Sequence, residues 1–259
     1  MIKKIFAILV FSISFCLIPL SGETFRMAVF QLEPFMMEDP ETGEITGIAV
    51  EYWRDYIMPR TGHELEVIGL FPILRVQNML EKGEIDVIPL MTKIPEREKK
   101  FLYPDNNLTE IISCLIVKKL SPIKEIHTAD DMFGMTIGFL ESAYIPPMMV
   151  NDNINFELVS FEDYRRVNLN KLLANRVDAQ LDINYISLMY YLKQNSFLDK
   201  VRIIMLPVER EPVYSIFTRN ERGKILRDAF SLFNAQGLKD NVFKNMTDRF
   251  LEENDIQLK

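Results

Sequence analysis

The sequence predicts an α/β protein of two lobes around a cleft, on three observations. Short apolar strands alternate with helices at close intervals, the pattern of parallel βαβ units. The alternation runs as two series, with the connector Lys118-Lys-Leu-Ser-Pro122 between them. A last extended stretch, Pro212 to Thr218, then returns ahead of a helical tail, so two crossings join the series. Two lobes joined in this way leave a cleft between them, a preferred place for small ligands. A hinge closing over the ligand is the expected motion.

The elements follow in order. Phe25 to Phe30 reads as a buried strand, and Pro34 in the loop behind it cannot donate to a ladder. Asp39-Pro-Glu-Thr-Gly43 is a turn by composition. From Ile48 to Met58 apolar residues recur at helical spacing, and Pro59 is expected to end that helix. Trp53, on this helix, is read as core rather than ligand platform. Glu64 to Leu70 is a strand, Ile73 to Glu81 a helix stopped by Lys82-Gly83, and Asp86 to Leu90 a strand. Ile111 to Val117 is a further apolar strand. In the second series, strands are expected at Met135 to Leu140, Phe156 to Phe161, Asp178 to Ile183 and Val201 to Val208. Glu141 to Val150 is a turn or short helix, and helices are expected at Asp163 to Arg176 and Tyr185 to Gln194. The tail carries two helices, Arg222 to Asn234 and Leu238 to Leu251, divided by Ala235-Gln-Gly237. The predicted division is 23–118 plus 214–259 for lobe 1 and 119–213 for lobe 2.

Residues 1–22 have the layout of a secretory signal: Lys3 and Lys4, an apolar run to Leu20, then small residues at Ser21 and Gly22. The alternative, an uncleaved anchor, needs roughly 20 apolar residues, and this run is at the short end. Cys16 lies within the run behind the bulky Phe15, which argues against lipidation. Cleavage after Gly22 would leave 237 of the 259 residues, and loss of Lys3 and Lys4 would take the net charge from −7 to −9. An acidic chain has no electrostatic reason to seek nucleic acid or anionic lipid. Cys114 alone cannot form an internal disulfide, so the exported chain is held by core burial, for which 48% hydrophobic residues suffice. Two histidines, His63 and His127, in separate turn-like contexts argue against a transition-metal site. Fourteen methionines are scattered along the chain and are read as core filling.

The most informative stretch is Pro89 to Asp105. A strand end carries Thr92, Pro95 suits the first turn of a helix, and Arg97 falls in that turn. Ligands of parallel sheets sit beyond the carboxyl ends of strands. A hydroxyl and a guanidinium there can converge on one small anion, which the guanidinium grips bidentately. Taken alone, Glu96 to Lys100 also reads as a solvated charged turn.

Further segments fall in a recurring order. They are Glu33-Pro-Phe35, Gly43-Glu-Ile-Thr-Gly-Ile48, Leu80-Glu-Lys-Gly-Glu-Ile-Asp86, Met91-Thr-Lys-Ile-Pro-Glu-Arg97 and Leu102-Tyr-Pro-Asp105. Lys119-Leu-Ser-Pro-Ile-Lys124, Met135-Thr-Ile-Gly138 and Arg176-Val-Asp-Ala179 continue the series. Together they make the chain, from about Phe25 to Leu251, resemble the amino-acid-type periplasmic solute-binding proteins of solute-binding family 3. The resemblance implies a two-lobe type II periplasmic binding fold, each lobe a mostly parallel sheet flanked by helices. It implies a monomeric, non-enzymatic periplasmic protein, without cofactor, that delivers a small solute to an ABC permease.

In that family the arginine matching Arg97 clamps the ligand's α-carboxylate, helped by the hydroxyl matching Thr92, and Arg75 falls on an arginine that lines the same cleft. The departures are as informative. Leu32 and Ile73 stand where aromatics sandwich the ligand, and Leu90 replaces a glycine that approaches it. Ser142-Ala-Tyr144 replaces a Gly-Ser/Thr-Thr turn. Asp182 lies one position before the carboxylate that pairs with the ligand's amine, a place held here by Ile183. Phe30, Phe71, Glu141 and Tyr144 are candidates for a remodelled pocket, with plain packing as the alternative for each. A carboxylate-bearing ligand is therefore expected, and a standard α-amino acid is not assumed. Two other roles are carried forward: an enzyme resembling cyclohexadienyl dehydratase on the same scaffold, with Glu141 or Asp182 as acid or base, and a ligand-sensing partner of a membrane receptor.

Overall fold

The computed structural model describes residues 22–160 and 163–258, so most of the expected signal segment lies outside the described residues. Strands β1 (Thr24–Val29), β4 (Glu64–Leu70), β5 (Val87–Thr92), β6 (Thr109–Ile111) and β12 (Glu211–Phe217) form one sheet, ordered β4-β1-β5-β12-β6. Strands β7 (Cys114–Lys118), β8 (Thr136–Leu140), β9 (Asn155–Val159), β10 (Ala179–Asp182) and β11 (Val201–Met205) form the other, ordered β11-β7-β10-β8-β9. A small hairpin of β2 (Met37–Glu38) and β3 (Ile45–Thr46) lies outside both. In each large sheet a single strand runs against the rest. β12 pairs antiparallel with both its neighbours in the first sheet, and β7 does so in the second. Each is the first strand laid down after the chain crosses between lobes.

The crossings differ from the predicted boundaries. Ile111 to Val117, expected as one strand of lobe 1, is divided between the two sheets, β6 in the first and β7 in the second. The outward crossing is therefore at 112–113, not at 118–119. The return crossing runs through 206–210, and β12 begins at Glu211, ahead of the expected 213–214. Both sides of the outward crossing are apolar, so hydropathy carries no mark of the change of sheet.

Helices cover both sheets. α1 (Ile48–Glu51), a π-helical segment (Tyr52–Ile57) and α2 (Met58–Thr61) make one continuous helix. Pro59, expected to end it, sits in its last turn. The wider π segment before it relaxes the ladder where proline lacks an N–H, and Gly62 at φ 72° closes the helix. Trp53 is fully buried, stacks on Phe230 at 4.8 Å and donates its indole N–H to Ser215 at 3.0 Å. α3 (Ile73–Glu81) and α4 (Pro95–Lys100) complete the first half of lobe 1. α5 (Tyr164–Leu173) and α6 (Tyr185–Gln194) pack on one face of the second sheet. α7 (Glu221–Lys239) and α8 (Val242–Glu253) return to lobe 1.

α7 runs straight through Ala235-Gln-Gly237, the expected break. Gly237 is there for closeness: a Cβ at that position would lie 2.3 Å from Tyr52 Oη. The absent side chain lets the first helix and α7 touch, and Tyr52 Oη donates to Asn234 Oδ1 at 2.9 Å. At the other end of α7, Arg222 grips the buried Asp86 with Nε and Nη2, each at 3.0 Å. Asp86 Oδ2 also accepts the Arg26 N–H, so this one carboxylate ties α7 to β1. Among the described residues, no helix is long and apolar enough to cross a membrane.

Candidate functional site

The carboxyl ends of β1 and β5 in lobe 1 face those of β8 and β10 in lobe 2, the place where such sheets hold ligands. They enclose a cavity of about 70 Å³. By the space one water-sized group needs, that is room for about five such groups. Its walls are mostly apolar. Phe30, Leu32, Ile73, Leu90 and Val213 come from lobe 1, and Phe139, Leu140 and Ile183 from lobe 2. The polar lining is Gln31, Thr92, Arg97, Tyr144, Tyr164, Arg165, Asp182 and Asn184.

Arg97 is placed by local sequence. β5 ends at Thr92, Ile94 stays extended, and Pro95 starts α4, so Arg97 turns back over the strand end. Its side chain is 4% exposed. Nη1 donates to Thr92 Oγ1 at 2.5 Å and to the Thr92 carbonyl at 3.2 Å. Nε reaches Gln77 Oε1 at 3.4 Å, and Nη2 crosses the cleft to the Ser142 carbonyl at 3.2 Å. All four acceptors are neutral. Burial, only partly offset by Tyr103 and the Glu96 carboxylate, pulls the guanidinium pKa below its ordinary value. An anion in the cavity would supply the missing charge.

On the opposite wall Asp182 is fully buried and already committed. Arg165, from the first turn of α5, donates Nε to Oδ2 at 2.7 Å and Nη2 to Oδ1 at 3.3 Å. The Asn184 N–H reaches Oδ1 at 3.0 Å, and Tyr164 Oη reaches Oδ2 at 3.5 Å. Burial alone would lower the Arg165 pKa, but the Asp182 carboxylate, together with Tyr164 and Glu33, outweighs it and the net shift is upward. Tyr164, Arg165 and Asn184 carry no signal in the linear sequence. Their role depends on α5 lying over β10, a tertiary fact.

The other predicted residues divide. Leu32, Ile73, Leu90, Tyr144 and Asp182 line the cavity together with Thr92 and Arg97. Asp182 does so despite its one-residue offset, and Ile183 lines it as well. Tyr144 also donates to Glu211 Oε2 at 2.9 Å across the lobes, and its phenol pKa is pushed up by burial and by that carboxylate. Ser142 contributes its backbone carbonyl to Arg97, while its side chain is exposed. Its φ of 63°, a conformation that favours glycine, marks the site of the altered turn. Glu141 is exposed and lines a neighbouring hollow with Phe71. Arg75 does not reach the cavity. It is exposed and stacks over the Phe71 ring at 4.4 Å, because its place on α3 points outward. Of the two candidate acid–base groups, then, Asp182 is tied up by hydrogen bonds and Glu141 stands outside the cavity.

The lobes meet at further points. The Ser187 hydroxyl donates to the Glu33 carbonyl, Lys193 Nζ to the Asp255 carbonyl at 2.8 Å, and the Tyr190 and Phe250 rings lie 5.4 Å apart.

Solved structures of the same architecture exist. An ancestral arginine-binding protein bound to arginine superposes with TM-score 0.70 at 20% identity, covering 87% of this chain and 97% of that one. The amino acid ABC transporter substrate-binding protein AbpA from Streptococcus pneumoniae, bound to L-arginine, gives TM-score 0.70 at 17% identity over 87% and 93%. The periplasmic VFT2 domain of Bordetella pertussis BvgS gives 0.71 at 16% identity over 87% and 92%. At such identities the likeness shows the fold, a two-lobe type II periplasmic binding fold. No curated protein sequence matches the chain. The family model for bacterial extracellular solute-binding proteins, family 3, matches residues 26–253. The chain belongs to that family.

Proposed function

We propose that the protein captures a small carboxylate-bearing solute, an amino acid or a related acid, in the cavity between its lobes. After export through a cleaved signal at 1–22, it would deliver that solute to an ABC importer from the periplasm. The observation that carries the reading is Arg97, a buried guanidinium whose four acceptors are all neutral oxygens. A carboxylate at this point gains charge-assisted bonds in a dry site. Thr92 Oγ1 holds one arm of the fork in place, and the AbpA neighbour, an amino acid ABC transporter substrate-binding protein, agrees with the role.

The test is thermal unfolding against a panel of small carboxylates. A ligand at a hundredfold excess over its Kd should stabilise the protein by about 2.7 kcal/mol. Arg97→Gln should remove that gain and leave the circular dichroism of the ligand-free protein unchanged. Shifts that survive in Arg97→Gln would refute the assigned clamp.

A second reading, that the closed form signals to a membrane receptor, is favoured by the likeness to the BvgS periplasmic domain. Pull-down from membranes with and without ligand separates the two, because transport requires an ABC permease in the captured set.

A further inference from the structure

The charge and hydrogen-bond inventory of the cavity goes beyond the carboxylate. Among the described residues, the ionised side chains on its wall are Arg97, Arg165 and Asp182. Arg165 and Asp182 cancel each other at 2.7 Å, which leaves one positive charge, on Arg97. An ammonium would need an anionic acceptor, and among the described residues Asp182 is the only carboxylate lining the cavity. A carboxylate offers about four acceptor sites. Those of Asp182 meet Arg165 Nε, Arg165 Nη2, the Asn184 N–H and Tyr164 Oη.

The unmet group on this wall has the opposite sense. Asn184 is 3% exposed and lines the cavity, and its Nδ2, itself closed to solvent in this structure, has no partner among the described residues. Its amide orientation is fixed, since Oδ1 accepts the Ser187 N–H at 3.1 Å as the N-cap of α6. The unpartnered atom is therefore a donor, which calls for an oxygen acceptor and repels an ammonium.

We propose that the cavity selects a small monocarboxylate whose second polar group is a neutral oxygen, a short-chain 2-oxo or 2-hydroxy acid, over the α-amino acid of the same skeleton. In this arrangement Arg97 and Thr92 take the carboxylate, the Asn184 amide donates to the oxo or hydroxyl oxygen, and the apolar wall takes the chain. The proposal rests on the carboxylate reading above and adds to it the exclusion of the amine.

Titration calorimetry with the protein stripped of bound solute by unfolding and refolding tests it. The probes are 2-oxobutanoate, 2-hydroxybutanoate and L-2-aminobutanoate, then 2-oxo-3-methylbutanoate against L-valine. The expected result is that the oxo or hydroxy acid binds at least about tenfold more tightly than its amino partner, since a buried ammonium would be left without an acceptor. Arg97→Gln should abolish binding, and Asn184→Leu should reduce the preference. Equal or tighter binding of the amino acids, still dependent on Arg97, would overturn the proposal and leave the carboxylate reading standing. Loss of no affinity in Arg97→Gln would overturn both.

Discussion

Replacing Arg165 with Met tests whether the second wall of the cavity is held by its ion pair. Asp182 is fully buried and would lose bonds of 2.7 and 3.3 Å to the guanidinium. It would keep the Asn184 N–H at 3.0 Å and the weak Tyr164 contact at 3.5 Å. A buried carboxylate stripped of its counter-charge in this way costs about 3–5 kcal/mol. The double variant Arg165→Met with Asp182→Leu removes the stranded charge. It leaves the Asn184 N–H and the Tyr164 hydroxyl short of an acceptor, at about 1–3 kcal/mol for a buried group. The double variant should therefore regain part of the loss seen in Arg165→Met rather than add to it. Urea unfolding at pH 7, followed by far-ultraviolet circular dichroism with m-values compared, measures all of these. A loss below about 1 kcal/mol in Arg165→Met would refute the reasoning. So would strict additivity of the two single changes, because groups bonded at 2.7 Å in a dry site must couple.

Two further outcomes follow from the packing. Gly237→Ala should destabilise the protein by about 1–3 kcal/mol in the same assay, because the new methyl meets Tyr52 Oη at 2.3 Å and Tyr56 Cε1 at 2.9 Å. The Cys114 thiol is fully buried, and desolvation, then the nearby Asp182 charge, push its pKa well above the ordinary thiol value. It should resist a thiol-reactive dye in the folded protein and react fully in urea, a contrast read by absorbance.

Much of the fold is written in local sequence, and the failures share one physical cause. α3 and α6 are legible to the residue because apolar spacing and, for α3, a Lys-Gly stop are local signals. Thr92 and Arg97 are legible for the same reason, being five residues apart around a proline that sets the turn. What stays hidden depends on partners distant in sequence. Gly237 reads as a helix breaker until Tyr52, 185 positions away, explains it as a contact point. Ile111 to Val117 reads as one strand because both halves are buried, although they serve different sheets. Arg75 sits only two positions past the cavity lining at Ile73, yet a rotation of about 200° along α3 carries it to solvent. Asp182 reads as a misplaced ligand carboxylate, and only the docking of α5 shows that Arg165 has already taken it.

This last point bears on how binding is coupled to closure. A ligand favours the closed form only through free energy that it gains there and not in the open form. Arg97 and Thr92 both belong to lobe 1, so a carboxylate gripped by them alone can be held with the lobes apart. In this structure Arg97 Nη2 already reaches the Ser142 carbonyl of lobe 2, and a hydrogen bond of that kind nets only about 1.5–3 kcal/mol. Closure driven by ligand needs contacts on the opposite wall. On that wall, among the described residues, the buried polar atom without a partner is Asn184 Nδ2, at the start of α6. The same helix sends the Ser187 hydroxyl to the Glu33 carbonyl of lobe 1. An acceptor oxygen on the ligand would thus pull on the helix that itself makes an interlobe bond. Under the proposed selectivity, recognition of that oxygen and the drive to close would be one interaction, and Asn184→Leu should weaken both together.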